Sequence, residues 1–168
     1  LMDTGGFNSG YSDHVLNKLV GIAKKHKVQK ILIEENFGQG MFEALLQPYL
    51  RKTYKCTTEL VRQTTNKHRR ILDTLEPLIS QHRIIIDANV IKNDYESTKH
   101  YTPEKALRYQ LFYQMTRITK ERGALAHDDR LDVLAIAVNY WVEQMARNVD
   151  DAIKDAHNDR LTKGLQKF

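Results

Sequence analysis

The sequence predicts an α/β fold, because helix-like and strand-like segments alternate along residues 13–61. Residues 13–26 carry apolar side chains at helical spacing, behind Ser12 as a helix cap. Residues 28–33 form a short apolar run rich in β-branched side chains, which is typical of a buried strand. A second helix to about residue 51 and a second strand at residues 56–61 continue the alternation.

The middle of the chain is predicted to be mostly helical. Asn66 is a good cap for a helix at residues 67–80, whose apolar positions again recur at helical spacing. Residues 83–86 are expected to form a short strand, and residues 87–97 a further helix. Helices and strands in this order indicate layers around one core.

Two more helices are predicted towards the end of the chain. One begins at Pro103, since proline is favoured at the first helical position, and Gly123 follows its end. Asp128 opens the last strong helix, which is expected to end near Met145. Residues 147–168 contain few large apolar side chains and are expected to be weakly helical or flexible. The core-facing positions of the helix that begins at Pro103 are Leu107, Leu111, Phe112, Met115 and Ile118.

Composition narrows the class of protein. The 168 residues suit a single domain, and no apolar run is long enough to span a membrane. The single cysteine, Cys56, suits a reducing compartment and excludes a cysteine-based zinc ribbon. The net charge of +5 favours a polyanionic partner. No glycine-rich loop ending in Lys-Ser or Lys-Thr is present, so this chain contains no recognisable ATP-binding loop.

Glu34 is the first candidate for a functional carboxylate. It lies where the predicted strand at residues 28–33 ends and a glycine-containing loop begins, and sites in α/β sheets form at such strand ends. Successive residues of a strand point to opposite faces, so Glu34 and Glu35 cannot both face one site. Two solvated carboxylates after a strand remain the alternative.

A second acidic group begins the last helix. Asp129 and Asp132 are three residues apart and therefore share a helix face. Asp128 and Asp129 are explained by helix capping alone, whereas Asp132 borders a strongly apolar stretch and needs a partner. That partner is Arg130, His127 or a bound cation, and hard divalent ions take carboxylate oxygens. Metal site and plain ion pair both stay open on spacing alone.

A group of basic residues lies at the start of another predicted helix. Lys67, His68, Arg69 and Arg70 lie in the first turn of a predicted helix, and Arg62 precedes it. Cations are unfavourable at this end of the helix dipole, so their presence indicates a function such as phosphate contact. A solvated basic face is the alternative.

Four segments of the sequence, in the same order, resemble the large terminase subunit of short-tailed, podovirus-type phages. The resemblance runs from about residue 5 to residue 145. The last segment alone also resembles Holliday-junction resolvases of the same fold. The four segments are IEENFGQGMF at residues 33–42, DTLEP at 73–77, LFYQMTRIT at 111–119 and GALAHDDRLD at 123–132.

The resemblance implies a ribonuclease H-like fold of the resolvase and integrase type, with a mixed sheet flanked by helices. Residues 1–146 are then a nuclease domain and residues 147–168 a C-terminal tail, with the packaging ATPase in a separate N-terminal domain of the same polypeptide. The first two strands are expected to be missing, together with the aspartate that the family carries on the first strand. Asp3 falls near the end of the expected third strand and is not assigned that role.

The resemblance also implies a site and a reaction. Glu34, Asp129 and Asp132, with Asp128 beside them, are the expected ligands of two Mg²⁺ or Mn²⁺ ions that hydrolyse DNA phosphodiesters. His127 is expected to orient a carboxylate or transfer a proton. The expected DNA-binding residues are Arg62, Lys67, Arg69 and Arg70.

The implied activity is cutting of concatemeric viral double-stranded DNA during genome packaging. The implied partners are the DNA, the portal protein and the small terminase subunit, without a membrane. The implied location is the host cytoplasm, at the portal vertex of the assembling procapsid and outside the mature virion. A resolvase-like nuclease and a non-catalytic DNA-binding or portal-docking module are the alternatives.

Overall fold

The computed structural model describes residues 1–35, 40–63, 65–121 and 123–165, with side chains as far as residue 154 except residue 152. None of the helices in this described part has the length and apolar character needed to cross a membrane. The elements are α1 (Asp13–Lys25), β1 (Lys30–Glu34), α2 (Met41–Thr53), β2 (Thr57–Val61), α3 (Lys67–Ser80), α4 (Ala88–Glu96), α5 (Pro103–Arg108), α6 (Leu111–Arg117) and α7 (Asp129–Leu165).

Strands β1 and β2 form a parallel ladder in which Lys30 lies opposite Thr57 and Glu34 opposite Val61. Helix α2 makes the crossover that a parallel pair requires. Both strands lie close to their predicted positions, and the prediction of alternating α/β layers is confirmed. Because parallel strands end at the same edge, Glu34 lies at the carboxyl edge of this sheet, where α/β proteins form their sites.

The predicted strand at residues 83–86 is wrong in the described structure, where this segment carries no strand assignment. It makes two backbone hydrogen bonds instead. The amino group of Leu1 donates to the carbonyl of Ile85 (2.5 Å), and the amide of Asp87 donates to the carbonyl of Leu1 (3.0 Å). These bonds flank Ile86 in the pattern of a single parallel bridge. One bridge without neighbours is too short to count as a strand.

Two clusters of buried apolar side chains hold the molecule together. The first joins α1, β1 and α2, and the second joins α3, α6 and α7. The second cluster lies beneath the candidate site, because two of its helices, α3 and α7, begin with the polar residues singled out above. Its members are Ile71, Leu75, Leu111, Leu131, Leu134 and Ala135.

The prediction of a single helix from Pro103 is wrong, because the structure has two helices there, α5 and α6. The cause lies on another helix. The buried carboxylate of Asp94, in α4, accepts hydrogen bonds from the backbone amides of Leu111 (2.9 Å) and Phe112 (3.2 Å). These amides would bond to preceding carbonyls in a continuous helix, so Asp94 starts α6 as a new one.

Helix α7 also differs from its prediction, since it continues beyond Met145 to Leu165. The weak apolar patterning of the tail indicated an earlier end, but this stretch lacks proline and has a single glycine, so it contains little to stop a helix. The proposed division between a domain at residues 1–146 and a tail at 147–168 stays a prediction.

Candidate active site

The first turns of α3 and α7 lie side by side. Asn66 caps α3 through a hydrogen bond from the amide of Arg69 to its side-chain oxygen. The carbonyl of Asp128 accepts the first bond of α7, from the amide of Asp132 (2.9 Å). The shared apolar cluster below these turns fixes the two helices against each other. The carboxylates of α7 therefore face the cations of α3.

Lys67 is the centre of this arrangement. Its Nζ lies 2.7 Å from Oδ1 of Asp128, 3.2 Å from Oδ1 of Asp129 and 3.4 Å from Oδ2 of Asp132. Desolvation alone would lower the pKa of Lys67, but the three carboxylates raise it above its ordinary value. Three carboxylate oxygens therefore converge on one point of positive charge.

Asp132 is the buried member of the three, with 3% of its surface exposed. Its Oδ1 accepts a hydrogen bond from the guanidinium of Arg70 (2.5 Å), and its Oδ2 faces Lys67. The sequence alone allows Arg130, His127 or a cation as the partner of Asp132. Arg130 bonds Asp94 instead (2.5 Å). Arg70 was a candidate only for DNA contact, because 62 residues separate it from Asp132.

Two buried nitrogen atoms beside this cluster are unsatisfied. Nδ1 of His68 and Nε of Arg70 have no hydrogen-bond partner within the described part of the chain. Nε2 of the same histidine lies 3.5 Å from Oδ2 of Asp128. Unpaired buried polar atoms are costly in a purely structural ion-pair cluster and are common at functional sites.

Glu34 is the last residue of β1 and is half-buried, with the following amide bonded to the carbonyl of Val61 (3.0 Å). The next part of its motif, residues 36–39, lies outside the described residues. Within residues that the structure does describe, no three His, Cys, Asp or Glu side chains are arranged to hold a metal ion. The carboxylates of α7 are instead arranged around Lys67.

Comparison with known proteins identifies the family. The family model described as the ribonuclease H-like domain of the bacteriophage T7 terminase matches residues 1–84, which is half of the chain. The chain belongs to this terminase family. The large terminase subunit of Enterobacteria phage T3 is 44% identical over 154 residues, which cover 92% of this chain and 26% of that protein. The chain thus spans about a quarter of that relative, and the predicted ribonuclease H-like fold and terminase resemblance are confirmed.

The predicted DNA-binding residues of this terminase domain divide into two pairs. Arg62 and Arg69 are exposed, and Arg69 makes a surface ion pair with Asp73 (3.3 Å). Lys67 and Arg70 instead point at the carboxylates of α7. Their place at the unfavourable end of the α3 dipole is explained by this acidic partner, which the sequence pattern alone did not reveal.

His127 lies next to the acidic cluster in sequence and is half-buried. Its ring stacks on Tyr109, with ring centres 4.2 Å apart, and Tyr109 stacks in turn on Tyr101 (4.6 Å). The ring of His100 lies tilted against Tyr101, with ring centres 4.0 Å apart. No local pattern predicts the contact of His127 with Tyr109, because these residues belong to separate segments. Stacking restrains the orientation of the His127 ring beside Asp128.

Asp3, which is not assigned the role of the first-strand aspartate, lies near the start of α7. It lines a cavity of about 620 Å³ together with Asp129 and Arg130. Burial alone would raise the pKa of Asp3, but hydrogen bonds from Asn93, His26 and the amide of Thr4 lower it. The carboxylate is therefore held in its charged form by local donors.

Proposed function

We propose that the chain is a metal-dependent endonuclease domain that cuts concatemeric viral double-stranded DNA during genome packaging. The observation that carries the proposal is the convergence of oxygens from Asp128, Asp129 and Asp132 on one cation where two helices begin. Membership of the terminase ribonuclease H-like family supports it, because nucleases of this fold generally use divalent metals.

The donor set fits a hard divalent ion. Carboxylate oxygens are the preferred ligands of Mg²⁺ and Mn²⁺, and the buried carboxylate of Asp132 requires positive charge nearby. We assign Asp129 and Asp132 as ligands, with Asp128 beside them and Glu34 as the contribution of β1. Two bound ions would supply Lewis-acid stabilisation of the phosphate and an activated water.

The remaining residues orient the carboxylates and hold the substrate. Arg70 fixes one oxygen of Asp132 and thereby directs the other towards the site. His127, restrained by stacking on Tyr109, is assigned carboxylate orientation or proton transfer. Arg62 and Arg69 are exposed and are assigned to DNA phosphates. Such contacts are independent of base sequence and sensitive to salt.

The assigned role implies further partners. We propose that the chain works with a packaging ATPase domain in the same polypeptide, the portal protein and the small terminase subunit. The proposed place of action is the portal vertex of the assembling procapsid in the host cytoplasm. The likeness to the large terminase subunit of phage T3, of which the chain covers 26%, supports these assignments.

The test is plasmid cleavage in Mg²⁺ or Mn²⁺ against an EDTA control. Two proteins are compared: the 168-residue chain, and a chimera that joins it to the preceding segment of the phage T3 relative. Asp129→Asn is expected to abolish cleavage while retaining DNA binding. Glu96→Gln is the matched control, because that carboxylate is exposed and bonds only Lys99 among described residues.

Metal-dependent cutting by the chimera, or by both proteins, supports the proposal. A folded chimera that neither cuts nor binds Mn²⁺ overturns it in favour of a DNA-binding or docking module. A resolvase-like nuclease is distinguished by substrate, since it would prefer a four-way junction to linear duplex DNA.

A further inference from the structure

We propose that Lys67 is an exchangeable cation. Its ammonium group neutralises Asp128, Asp129 and Asp132 before a divalent ion binds, and it then moves to a phosphate of the bound DNA. The inference rests on the proposed function, since it concerns the ion that the same carboxylates would hold. It adds a role for one residue in coupling metal binding to DNA binding.

Lys67 and a divalent ion would compete for the same oxygens. The three oxygens lie between 2.7 and 3.4 Å from Nζ of Lys67, which is hydrogen-bonding distance. An ion on those oxygens would lie within a few ångströms of the ammonium group, a separation at which like charges repel. Binding of the ion therefore requires Lys67 to leave.

The two cations of α3 differ in their freedom to leave. The Lys67 side chain is 38% exposed, and a lysine is a compact charge on a flexible stem. Arg70 is only 11% exposed and bonds Asp132 from the buried side. Arg70 is therefore the permanent partner of Asp132, and Lys67 is the partner that solvent can reach.

The charge balance indicates where Lys67 goes. Three carboxylates face two permanently charged cations, Lys67 and Arg70, and the ring of His68 lies 3.5 Å from Asp128. The permanent charges of the cluster therefore sum to a net negative charge. A divalent ion in place of Lys67 neutralises the cluster and leaves one lysine charge unpaired. Arg69 lies in the first turn of α3, and Arg62 lies in the segment between β2 and α3; both side chains are exposed. A DNA phosphate brought there by them would pair with the released ammonium group.

The first test is calorimetric titration of Mn²⁺ into wild type and Lys67→Met. The variant lacks the competing charge and is expected to bind Mn²⁺ about tenfold more tightly, the scale of typical coupling between sites. Lys99→Met is the control, because that lysine forms a similar short ion pair elsewhere on the surface, and its Mn²⁺ affinity should match wild type. Equal or weaker binding by Lys67→Met contradicts the exchange.

Failure of the inference is separable from failure of the proposed function. If the wild type and the chimera bind no Mn²⁺, the metal site itself is absent and both proposals fall. If wild type binds Mn²⁺ and Lys67→Met binds it no better, the metal site stands and the exchange is wrong.

A second measurement uses the wild type alone and therefore does not depend on how a variant folds. Acetylation of individual lysine amines is followed by mass spectrometry, with and without saturating Mg²⁺ and without DNA. Lys67 is expected to react several-fold faster when Mg²⁺ is present, because its ion pairs are lost, while Lys99 keeps its rate. An unchanged rate at Lys67 in a metal-bound protein contradicts the exchange.

Discussion

Asp94 and Asp132 are two buried aspartates with closely similar surroundings and different partners. Their exposed fractions are 2% and 3%, and each bonds an arginine from another helix at 2.5 Å. Asp94 also accepts bonds from two backbone amides at the start of α6. Among the described residues, the partner of the second oxygen of Asp132 is the side chain of Lys67, at 3.4 Å.

The difference separates a structural carboxylate from one available for chemistry. Backbone amides cannot leave without unfolding a helix, so the oxygens of Asp94 are permanently occupied. A lysine side chain can rotate away and be replaced by another cation. Burial and an arginine partner therefore do not identify a functional site by themselves, and the kind of donor on the second oxygen is what distinguishes these two aspartates.

The largest expected effect is on catalysis at Asp132. Asp132→Asn is expected to lower plasmid cleavage at least about 100-fold, in whichever of the chain and the chimera cuts DNA. Substitution of residues that merely orient metal ligands can already lower activity by up to about 100-fold. Circular dichroism should report an unchanged fold, because asparagine keeps the shape and can still accept from Arg70. Cleavage within a few-fold of wild type would show that Asp132 is not a ligand.

The next effect is on stability at Asp94. Asp94→Ala leaves Arg130 buried and unpaired and removes the acceptor at the start of α6, so it is expected to cost about 3–5 kcal/mol of unfolding free energy. Urea unfolding measures it, with Asp132→Ala as the matched comparison. The Asp132 variant should lose less, because the described partners of its carboxylate are side chains and not backbone amides. Equal losses would remove the distinction between the two sites.

A smaller effect is expected at the exposed arginines. Arg62→Ala and Arg69→Ala should each weaken DNA binding uniformly across sequences and reduce the salt dependence of log affinity by roughly one unit per contact. Fluorescence anisotropy with duplex DNA at several salt concentrations measures this slope. A variant that changes sequence preference while keeping the slope would mean that the arginine contacts bases.

The smallest effect concerns pH and Asp3. Its folded-state pKa is lowered, so its charged form stabilises the fold above the ordinary value of 3.8, and this stability is lost as pH falls through the lower folded value. Wild type should therefore lose more stability than Asp3→Asn between pH 5 and pH 3. Urea unfolding at both values tests this, and identical losses would contradict the assigned bonding of Asp3.

Local features of the structure could be predicted from the sequence, and contacts between distant segments could not. Asn66 marked the start of α3, and helical spacing placed Asp129 and Asp132 on one face. The partners of those carboxylates come from α3, 62 residues earlier, and no local pattern encodes that pairing. The break between α5 and α6 was missed for the same reason, because Asp94 causes it from another helix.

We propose above that the carboxylates at the start of α7 form a divalent-metal site. Calorimetric titration of Mn²⁺ into the chain and its Asp132→Asn variant tests it most directly. The predicted result is saturable binding by the chain that is lost or weakened at least about 100-fold in the variant. Equal binding by both proteins, or no binding by a folded chain and its chimera, would contradict the claim.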